Sequence, residues 1–196
     1  MTVRNVTKKP SDSGVAIRPL VPFQNARSAF GAFLTQCGFS TTDTILLPAY
    51  IGWSKNEGSG VFDPVRAIGA HSEFYRVDRY LSIDLDDLRT KLTTHRPRLV
   101  VFIHYFGWPD KHLTEAIAMA RQAGALILED EAHAMYSDMV TGICGRGGDA
   151  AIVSLHKMLP FTDGGWLIIN QSLDQAISNR LQQTPAQVQL QQNPFN

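Results

Sequence analysis

Residues 99–103 read Leu-Val-Val-Phe-Ile and residues 125–128 read Ala-Leu-Ile-Leu, two short apolar runs without a polar interruption. Such continuous runs are typical of strands in a parallel sheet, because helices cover both faces of that kind of sheet. Residues 114–123, which lie between the two runs, predict a helix. A strand, a helix and a second strand in this order favour the α/β class.

The same alternation continues on both sides of this stretch. Apolar runs at residues 150–153 and 166–169 predict two further strands. The preceding part of the chain predicts helices over residues 25–37, from Asp63-Pro64 and over residues 84–92, and strands over residues 44–47 and 73–77. We therefore expect an α/β fold with three layers and a mostly parallel central sheet.

The two ends of the chain differ in composition from the part between them. Residues 1–21 are expected to form a flexible N-terminal arm, because residues 8–14 are polar and offer nothing to bury. Residues 22–180 are expected to form the folded domain. Residues 181–196 are rich in Gln and lack an apolar period, which predicts a polar tail.

The overall composition limits the classes of function. Hydrophobic residues make up 44% of the chain and charged residues 18%, as in folded globular proteins. The 18 Lys and Arg residues balance the 18 Asp and Glu residues, so no basic excess points to nucleic acid or to a membrane surface. With two cysteines and no apolar leader, we expect a cytoplasmic protein without a disulfide framework or a metal site.

Reactive side chains follow three of the predicted strands directly. The first strand runs into His-Tyr-Phe-Gly-Trp-Pro at residues 104–109, and the second into Glu-Asp-Glu-Ala-His at residues 129–133. The third runs into Ser-Leu-His-Lys at residues 154–157, with Asp-Gly-Gly following at residues 163–165. Because α/β sheets bind ligands at the carboxyl ends of their strands, we expect a functional site at this edge.

Pyridoxal 5′-phosphate (PLP) chemistry requires groups of these kinds. A lysine forms the Schiff base, a carboxylate keeps the pyridine nitrogen protonated, and hydroxyl and amide groups hold the phosphate. A flat side chain covers one face of the ring. The candidates are Lys157 for the Schiff base, Asp130 for the pyridine nitrogen, Ser154 and the amides around Asn25, Ala26 and Arg27 for the phosphate, and Trp53 or Tyr50 for the ring, with His133 close to Asp130 in the sequence.

Four segments of the chain together resemble the DegT/DnrJ family of sugar aminotransferases, which are fold-type-I PLP enzymes. They are Leu-Pro-Ala-Tyr at residues 47–50, His-Tyr-Phe-Gly at 104–107, Glu-Asp-Glu-Ala-His-Ala at 129–134, and the serine, lysine and Asp-Gly-Gly between 154 and 165. The resemblance spans about residues 22–170. It implies that Asp130 pairs with the pyridine nitrogen, that His133 contacts the ring, that Ser154 binds phosphate and that Lys157 forms the Schiff base.

The resemblance also implies a reaction and an assembly. It implies transfer of an amino group from an amino acid, most simply glutamate, to a keto sugar that is nucleotide-linked, by a homodimer. The interval from Ser154 to Lys157 is two residues shorter than in most family members, which we interpret as a variant loop. No segment after Arg180 resembles the family's C-terminal domain, so we expect that small domain to be absent.

Several alternatives follow from the same residues. Ser154-x-x-Lys157 also matches the serine pattern of penicillin-binding proteins, although the Ser-Asp-Asn and Lys-Thr-Gly partner motifs are missing from the sequence. A metal hydrolase built from His104, Asp130, His133 and His156 would use the imidazole and carboxylate groups at the same strand ends as ligands. A degenerate PLP fold with a regulatory or interaction role is the third alternative. Each candidate residue also has a simpler structural interpretation. These are a surface lysine for Lys157, a helix cap for Asp130, an ordinary strand-end serine for Ser154, a core aromatic residue for Trp53, and structural histidines for His133 and His104.

Overall fold

A computed structural model describes residues 18–55 and 58–184 of the chain, and these residues form seven strands and five α-helices. In chain order the elements are β1 (Leu20–Phe23), α1 (Ala26–Gln36), β2 (Thr44–Pro48), α2 (Phe62–Ala67), β3 (His71–Tyr75), α3 (Leu85–His95), β4 (Leu99–Ile103), α4 (Leu113–Gln122), β5 (Leu126–Asp130), β6 (Ala150–Ser154), β7 (Gly165–Ile169) and α5 (Gln175–Gln182). None of these helices has both the length and the apolar composition needed to cross a membrane.

The seven strands form one sheet in the order β1-β7-β6-β5-β4-β2-β3. Neighbouring strands from β3 to β6 are parallel, whereas β7 pairs antiparallel with both β6 and β1. The sheet is therefore mostly parallel, and the predicted α/β class is confirmed. Its parallel part brings the carboxyl ends of β4, β5 and β6 to one edge.

Helices cover both faces of this sheet and make it the middle of three layers. Along β4, Leu99 and Val101 belong to a core cluster on one face, with α1, α2 and α5, while Val100 and Phe102 belong to a second cluster with α3 and α4. Successive strand residues point to opposite faces, so a strand that is apolar throughout contributes to both clusters. The uninterrupted apolar runs in the sequence have this cause.

The structure differs from the expected boundaries of the arm and the tail. Leu20 and Val21, assigned to a flexible arm, form β1, where they pair with Ile168 and Leu167 of β7. Leu181, assigned to the tail, is fully buried at the end of α5. Both segments are short and gain order only by packing on a distant part of the chain, which local composition does not reveal. The rest of the predicted arm and tail lies outside the described residues.

Local signals located most other elements to within a few residues. Asn25 begins α1 by accepting a hydrogen bond from the amide of Ser28, and Asp84 begins α3 by accepting one from the amide of Asp87. The strand expected over residues 73–77 instead spans His71–Tyr75, because parallel pairing with β2 aligns His71 with Thr44. Tertiary pairing, and not the local alternation of side chains, determines where this edge strand begins.

Candidate functional site

A cleft of about 750 Å³ opens at the carboxyl ends of β4, β5 and β6, beside the start of α1. Ligands of α/β sheets bind in this position. Every residue that the sequence analysis proposed for cofactor binding lines the cleft: Asn25, Ala26, Trp53, Asp130, His133, Ser154 and Lys157. Tyr50 and Arg27 line it as well. The structure thus brings together residues from four separate segments of the sequence.

Asp130 is the last residue of β5 and forms part of the cleft floor, where only 6% of its surface is exposed. Its Oδ1 accepts a hydrogen bond of 2.8 Å from the amide of Ala132, and no other described residue donates to this carboxyl group. Burial raises the pKa of Asp130, while the Ala132 hydrogen bond and the nearby charges of Lys157 and His133 oppose that rise. One carboxylate oxygen therefore remains available to a ligand.

Lys157 lies on a tight turn that follows β6. Leu155 is buried in a small apolar cluster with Met158 and Leu159 packed against it, and its amide donates to the carbonyl of Gly164 at 2.9 Å. These contacts hold the apolar side chains of the turn against the sheet. The side chains of His156 and Lys157 are left exposed to the cleft. The turn is not a helix, so the helical serine–lysine geometry of penicillin-binding proteins is not present here.

Ser154 and the start of α1 come together because β7 carries a glycine at the contact point. Ser154 pairs with Gly165 across β6 and β7. A Cβ atom on Gly165 would lie 2.2 Å from the carbonyl carbon of Asn25 and 2.3 Å from the amide nitrogen of Ala26, so only glycine allows this approach. The hydroxyl of Ser154 also lies 3.1 Å from Nδ1 of His156. A hydroxyl and a helix N-terminus therefore share one corner of the cleft.

The two histidines of the neighbouring strand ends have different environments. His133 is exposed at the cleft, where burial and the charge of Lys157 lower its pKa and the charge of Asp130 acts in the opposite direction. His104 is buried, and its Nε2 lies 2.7 Å from Oε2 of Glu129. The structural role expected for His104 agrees with this buried pair.

Trp53 and Tyr50 lie on the loop that follows β2, at the mouth of the cleft. They are 70% and 54% exposed, so Trp53 is not a core residue of this chain. The hydroxyl of Tyr105 donates to the carbonyl oxygen of Tyr50 at 2.6 Å, and the two rings meet edge to face with centroids 5.7 Å apart. This contact links the loop after β2 to the segment after β4.

Sequence reasoning missed the structural role of Glu129. Its carboxylate is fully buried, with bonds from His104 and from the amides of Gly145, Gly147 and Gly148. Burial alone would raise the pKa of Glu129, but the hydrogen bond and charge of His104 and these amides hold it below its usual value. The acidic residue before Asp130 and the glycine-rich segment ahead of β6 were visible in the sequence, but not their contact.

A metal hydrolase gains no support from the geometry of the cleft. Throughout the described residues, no group of three or more His, Cys, Asp or Glu side chains is arranged to hold a metal ion. His104, one of the four candidate ligands, instead pairs with the buried carboxylate of Glu129.

Several known proteins of similar sequence or structure are aminotransferases. The chain is 34% identical over 104 residues to a dTDP-4-dehydro-2,3,6-trideoxy-D-glucose 4-aminotransferase of Saccharopolyspora spinosa, a match that covers 52% of this chain and 26% of that protein. The solved aminotransferase TlmJ of Streptoalloteichus hindustanus has a TM-score of 0.67 at 24% identity, covering 83% of this chain and 42% of TlmJ. NtdA of Bacillus subtilis, solved with bound cofactor PMP, has a TM-score of 0.65 at 13% identity, covering 84% and 35%.

The present chain spans less than half the length of each of these relatives. At these identities the two solved structures support the fold of the described residues and nothing further. Comparison of the sequence with family profiles assigns the chain to a family, which the solved structures at these identities do not. Because the sequence profile of the DegT/DnrJ/EryC1/StrS aminotransferase family matches residues 21–193, the chain belongs to that family.

Proposed function

We propose that this chain forms the cofactor-binding part of a PLP-dependent aminotransferase, which moves an amino group from an amino acid such as glutamate to a nucleotide-linked keto sugar. Aminotransferases of this family use PLP, and the relative from Saccharopolyspora spinosa is named for a dTDP-linked keto sugar. The observation that carries the proposal is that Asp130 and Lys157 line one cleft. They are also close enough for the charge of Lys157 to oppose the rise in the pKa of Asp130 that burial causes.

Asp130 fits the pyridine nitrogen of the cofactor. A buried carboxylate with a single hydrogen-bond donor is costly unless a cation or a second donor joins it. A protonated pyridine nitrogen supplies both. In return, the carboxylate keeps that nitrogen protonated, which is the role that this residue has in our proposal.

The corner formed by Ser154 and α1 fits a phosphate group. Anions bind at helix N-termini because the first backbone amides of a helix point outwards and the helix dipole is positive there. The side chain of Asn25 is occupied in capping the amide of Ser28, so Asn25 and Ala26 would contribute through their backbone. The Ser154 hydroxyl adds a donor from the opposite side of the corner.

His133 and Trp53 are the candidates for contact with the two faces of the pyridine ring. His133 follows Asp130 on the same segment and has a lowered pKa, so its imidazole is neutral at pH 7 and suits stacking on an aromatic ring. Trp53 is the exposed flat side chain at the cleft mouth. In this assignment the cleft offers each part of the cofactor a group of matching chemistry.

The residues of the chain would act in sequence during the reaction. When bound, PLP supplies an electron sink that stabilises negative charge on the substrate carbon. Lys157 would hold the cofactor through Nζ, and in its free form its amine would move the proton at the substrate carbon. Asp130 would maintain the positive charge on the ring nitrogen. His104 and Glu129 hold the end of β4 against β5 and so position Asp130.

We also propose that the working form is a homodimer. Met139, Val140 and Ile143, which lie on the segment after His133, are 64%, 79% and 52% exposed. Exposed apolar side chains this close together are typical of protein–protein contacts. Sedimentation analysis of the PLP-loaded chain tests this point, and a monomer at micromolar concentration would contradict it.

Cofactor attachment gives a direct test of the proposal. We expect the chain mixed with PLP to develop visible absorbance, and borohydride reduction followed by peptide mass spectrometry to find the modification on Lys157. Lys157→Ala should abolish it, whereas Lys111→Ala, which removes an exposed lysine outside the cleft, should not. Modification of another lysine in the unaltered chain would refute the assignment.

Amino transfer separates the enzyme from a regulatory PLP fold. Glutamate added to the PLP-loaded chain should yield 2-oxoglutarate and convert the bound cofactor to its amino form. If the cofactor is bound through Lys157 but no 2-oxoglutarate is released, the non-catalytic alternative is favoured for this chain.

A further inference from the structure

The segment after β4 contains a backbone turn with an unusual residue at its tip. Phe106 has φ 55° and ψ 22°, Gly107 has φ 85°, and the amide of Trp108 donates to the carbonyl oxygen of Tyr105 at 3.1 Å. Positive φ at both central residues defines a type I′ turn. Asn and Gly are preferred at the first of these positions because side chains such as Phe are strained in the left-handed region.

This strain is not offset by burial of the Phe106 ring. The side chain is 71% exposed, and its ring centroid lies 6.3 Å from that of His133 at a tilted angle. An exposed aromatic ring in a left-handed conformation contributes little to folding. Strained residues of this kind occur mainly where a site requires a particular side chain in a particular position.

The turn is attached firmly to the segment that carries His133. The hydroxyl of Ser137 donates to the carbonyl oxygen of Gly107 at 2.6 Å. A Cβ atom on Gly107 would lie 2.8 Å from the carbonyl oxygen of His133, so glycine is required for this close approach. Because Gly107 is fixed by its hydrogen bond from Ser137 and by its close approach to His133, the preceding residue, Phe106, is kept at the cleft wall next to His133.

We propose that Phe106 is a specificity-determining residue whose ring packs against the C–H face of the sugar substrate. This inference rests on the proposed function, because it assumes that the cleft takes a keto sugar. A sugar ring has polar hydroxyl edges and an apolar C–H face, and the cleft has a polar floor with Asp130 and Lys157 and an aromatic wall at Phe106. The sugar can therefore direct its reacting carbon to the floor while its apolar face covers the ring of Phe106.

Trp108 provides a matched control on the same turn. It is 76% exposed, its backbone is extended with φ −100° and ψ 130°, and it does not line the cleft. Replacing Trp108 also removes an exposed aromatic ring from the turn. It relieves no backbone strain, because Trp108 is not in the left-handed region, and it leaves the lining of the cleft unchanged.

The test compares Phe106→Asn, Phe106→Tyr and Trp108→Asn in the PLP-loaded chain. Since Asn-Gly is the preferred pair of a type I′ turn, Phe106→Asn should raise the Tm by about 2–4 °C. Affinity for the best ligand among dTDP-glucose, UDP-glucose and GDP-glucose, measured by calorimetry, should fall about three- to tenfold. Phe106→Tyr should keep the affinity of the unaltered chain, and Trp108→Asn should change neither the Tm nor the affinity.

Opposite outcomes overturn the inference. An unchanged or lower Tm for Phe106→Asn means that the turn is not strained, and equal sugar-nucleotide affinity means that the ring does not contact the sugar. Dissociation of an oligomer by Phe106→Asn assigns the ring to a subunit contact instead, and the absence of binding of all three probes to the unaltered chain removes the sugar from the cleft. In each case the attachment of PLP to Lys157, measured separately, shows whether the proposed function still holds.

Discussion

Asp130 and Glu131 are neighbours in the chain, but their carboxyl groups lie in two different regions that differ in access to the cleft and in hydrogen-bond partners. Asp130 lines the cleft, near Lys157 and His133, and has one amide donor. Glu131 is fully buried beside a second cavity of about 240 Å³, and neither of its carboxyl oxygens has a hydrogen-bond partner among the described residues. The comparison shows that the same chemical group can be open to a cleft at one position and buried without a hydrogen-bond partner at the next.

The two arginines near Glu131 pair with a different carboxylate. Arg18 and Arg146 both pair with the carboxylate of Asp138, and Arg18 also donates to the carbonyl oxygen of Gly145. Glu131 lies beside Asp138, and within the described part of the chain it forms no ion pair, although the charge of Arg18 acts against the rise of its pKa. Burial, then the charges of Asp138 and Glu129, raise the pKa of Glu131 to about 9, so this carboxyl group is neutral at pH 7.

The largest expected effect tests the ligand role of Asp130. Asp130→Asn should weaken PLP binding by about 3 kcal/mol, roughly a hundredfold in Kd, because the ring nitrogen loses its charged partner. Equilibrium titration with PLP measures this change. Asp86→Asn, which removes an exposed carboxylate on α3, should bind PLP like the unaltered chain. Equal affinity of the Asp130 variant would place the ring nitrogen elsewhere.

A second substitution tests a buried carboxylate whose partners are all present. Glu129→Gln keeps the size of the side chain but presents an amide N–H₂ to His104 or to the glycine amides, which are themselves donors. The free energy of unfolding should fall by about 2–3 kcal/mol, as when a buried charged network is broken. Urea denaturation measures it. A stability equal to that of the unaltered chain would mean that these bonds contribute nothing net.

Glu131→Gln should raise the free energy of unfolding, whereas Glu129→Gln should lower it. In the unfolded chain this carboxyl group ionises near its usual pKa of 4.5, whereas in the folded chain it keeps its proton up to about pH 9. The unfolded state therefore binds fewer protons between these values, so Glu131 lowers stability progressively as the pH rises from about 5 to 9.

Substitution by glutamine removes that dependence. We expect Glu131→Gln to be more stable by about 1–2 kcal/mol at pH 7, with a larger gain at pH 9 and almost none at pH 5. Thermal unfolding of both proteins at the three pH values measures the difference. A constant difference across this range would show that Glu131 does not titrate as described.

The smallest expected effect is electrostatic coupling within the cleft. The negative charge of Asp130 raises the pKa of His133, against the effects of burial and of Lys157. Asp130→Asn should therefore lower the pKa of His133 further, which NMR titration of the imidazole resonances in the cofactor-free chain would detect. A higher pKa in the variant would mean that the two side chains are not coupled as the structure has them.

Much of the fold could be predicted because its central strands carry their own signal. The apolar run at β4 is buried from both sides, so its composition alone indicates a central strand of a parallel sheet. β1 carries no such signal: it is four residues long, includes Pro22, and becomes a strand only by pairing with β7. The antiparallel direction of β7 likewise depends on the path of the chain around the cleft.

The candidate site could be predicted as a set of residues, but their roles remain predictions. Asp130, Ser154 and Lys157 were found because each follows a predicted strand, and parallel strands bring such residues to one edge. Phe106 and Glu129 were in the same quoted segments but had no assigned role. Their importance comes from a backbone angle and from contacts with residues distant in sequence, and neither has a local sequence signal.

The order of residues along the chain is enough to specify the class of fold, the edge of the sheet that carries the polar groups, and the identity of those groups. These properties depend on periodicity and on order along the chain, which neighbouring residues specify. Three-dimensional packing is needed to show that Asp130 faces the cleft while Glu131 lies next to Asp138 and a second cavity, and that Gly165 admits the start of α1 beside Ser154. Solvation and charge pairing depend on segments that are distant in sequence and meet only on folding, and composition does not encode those distances.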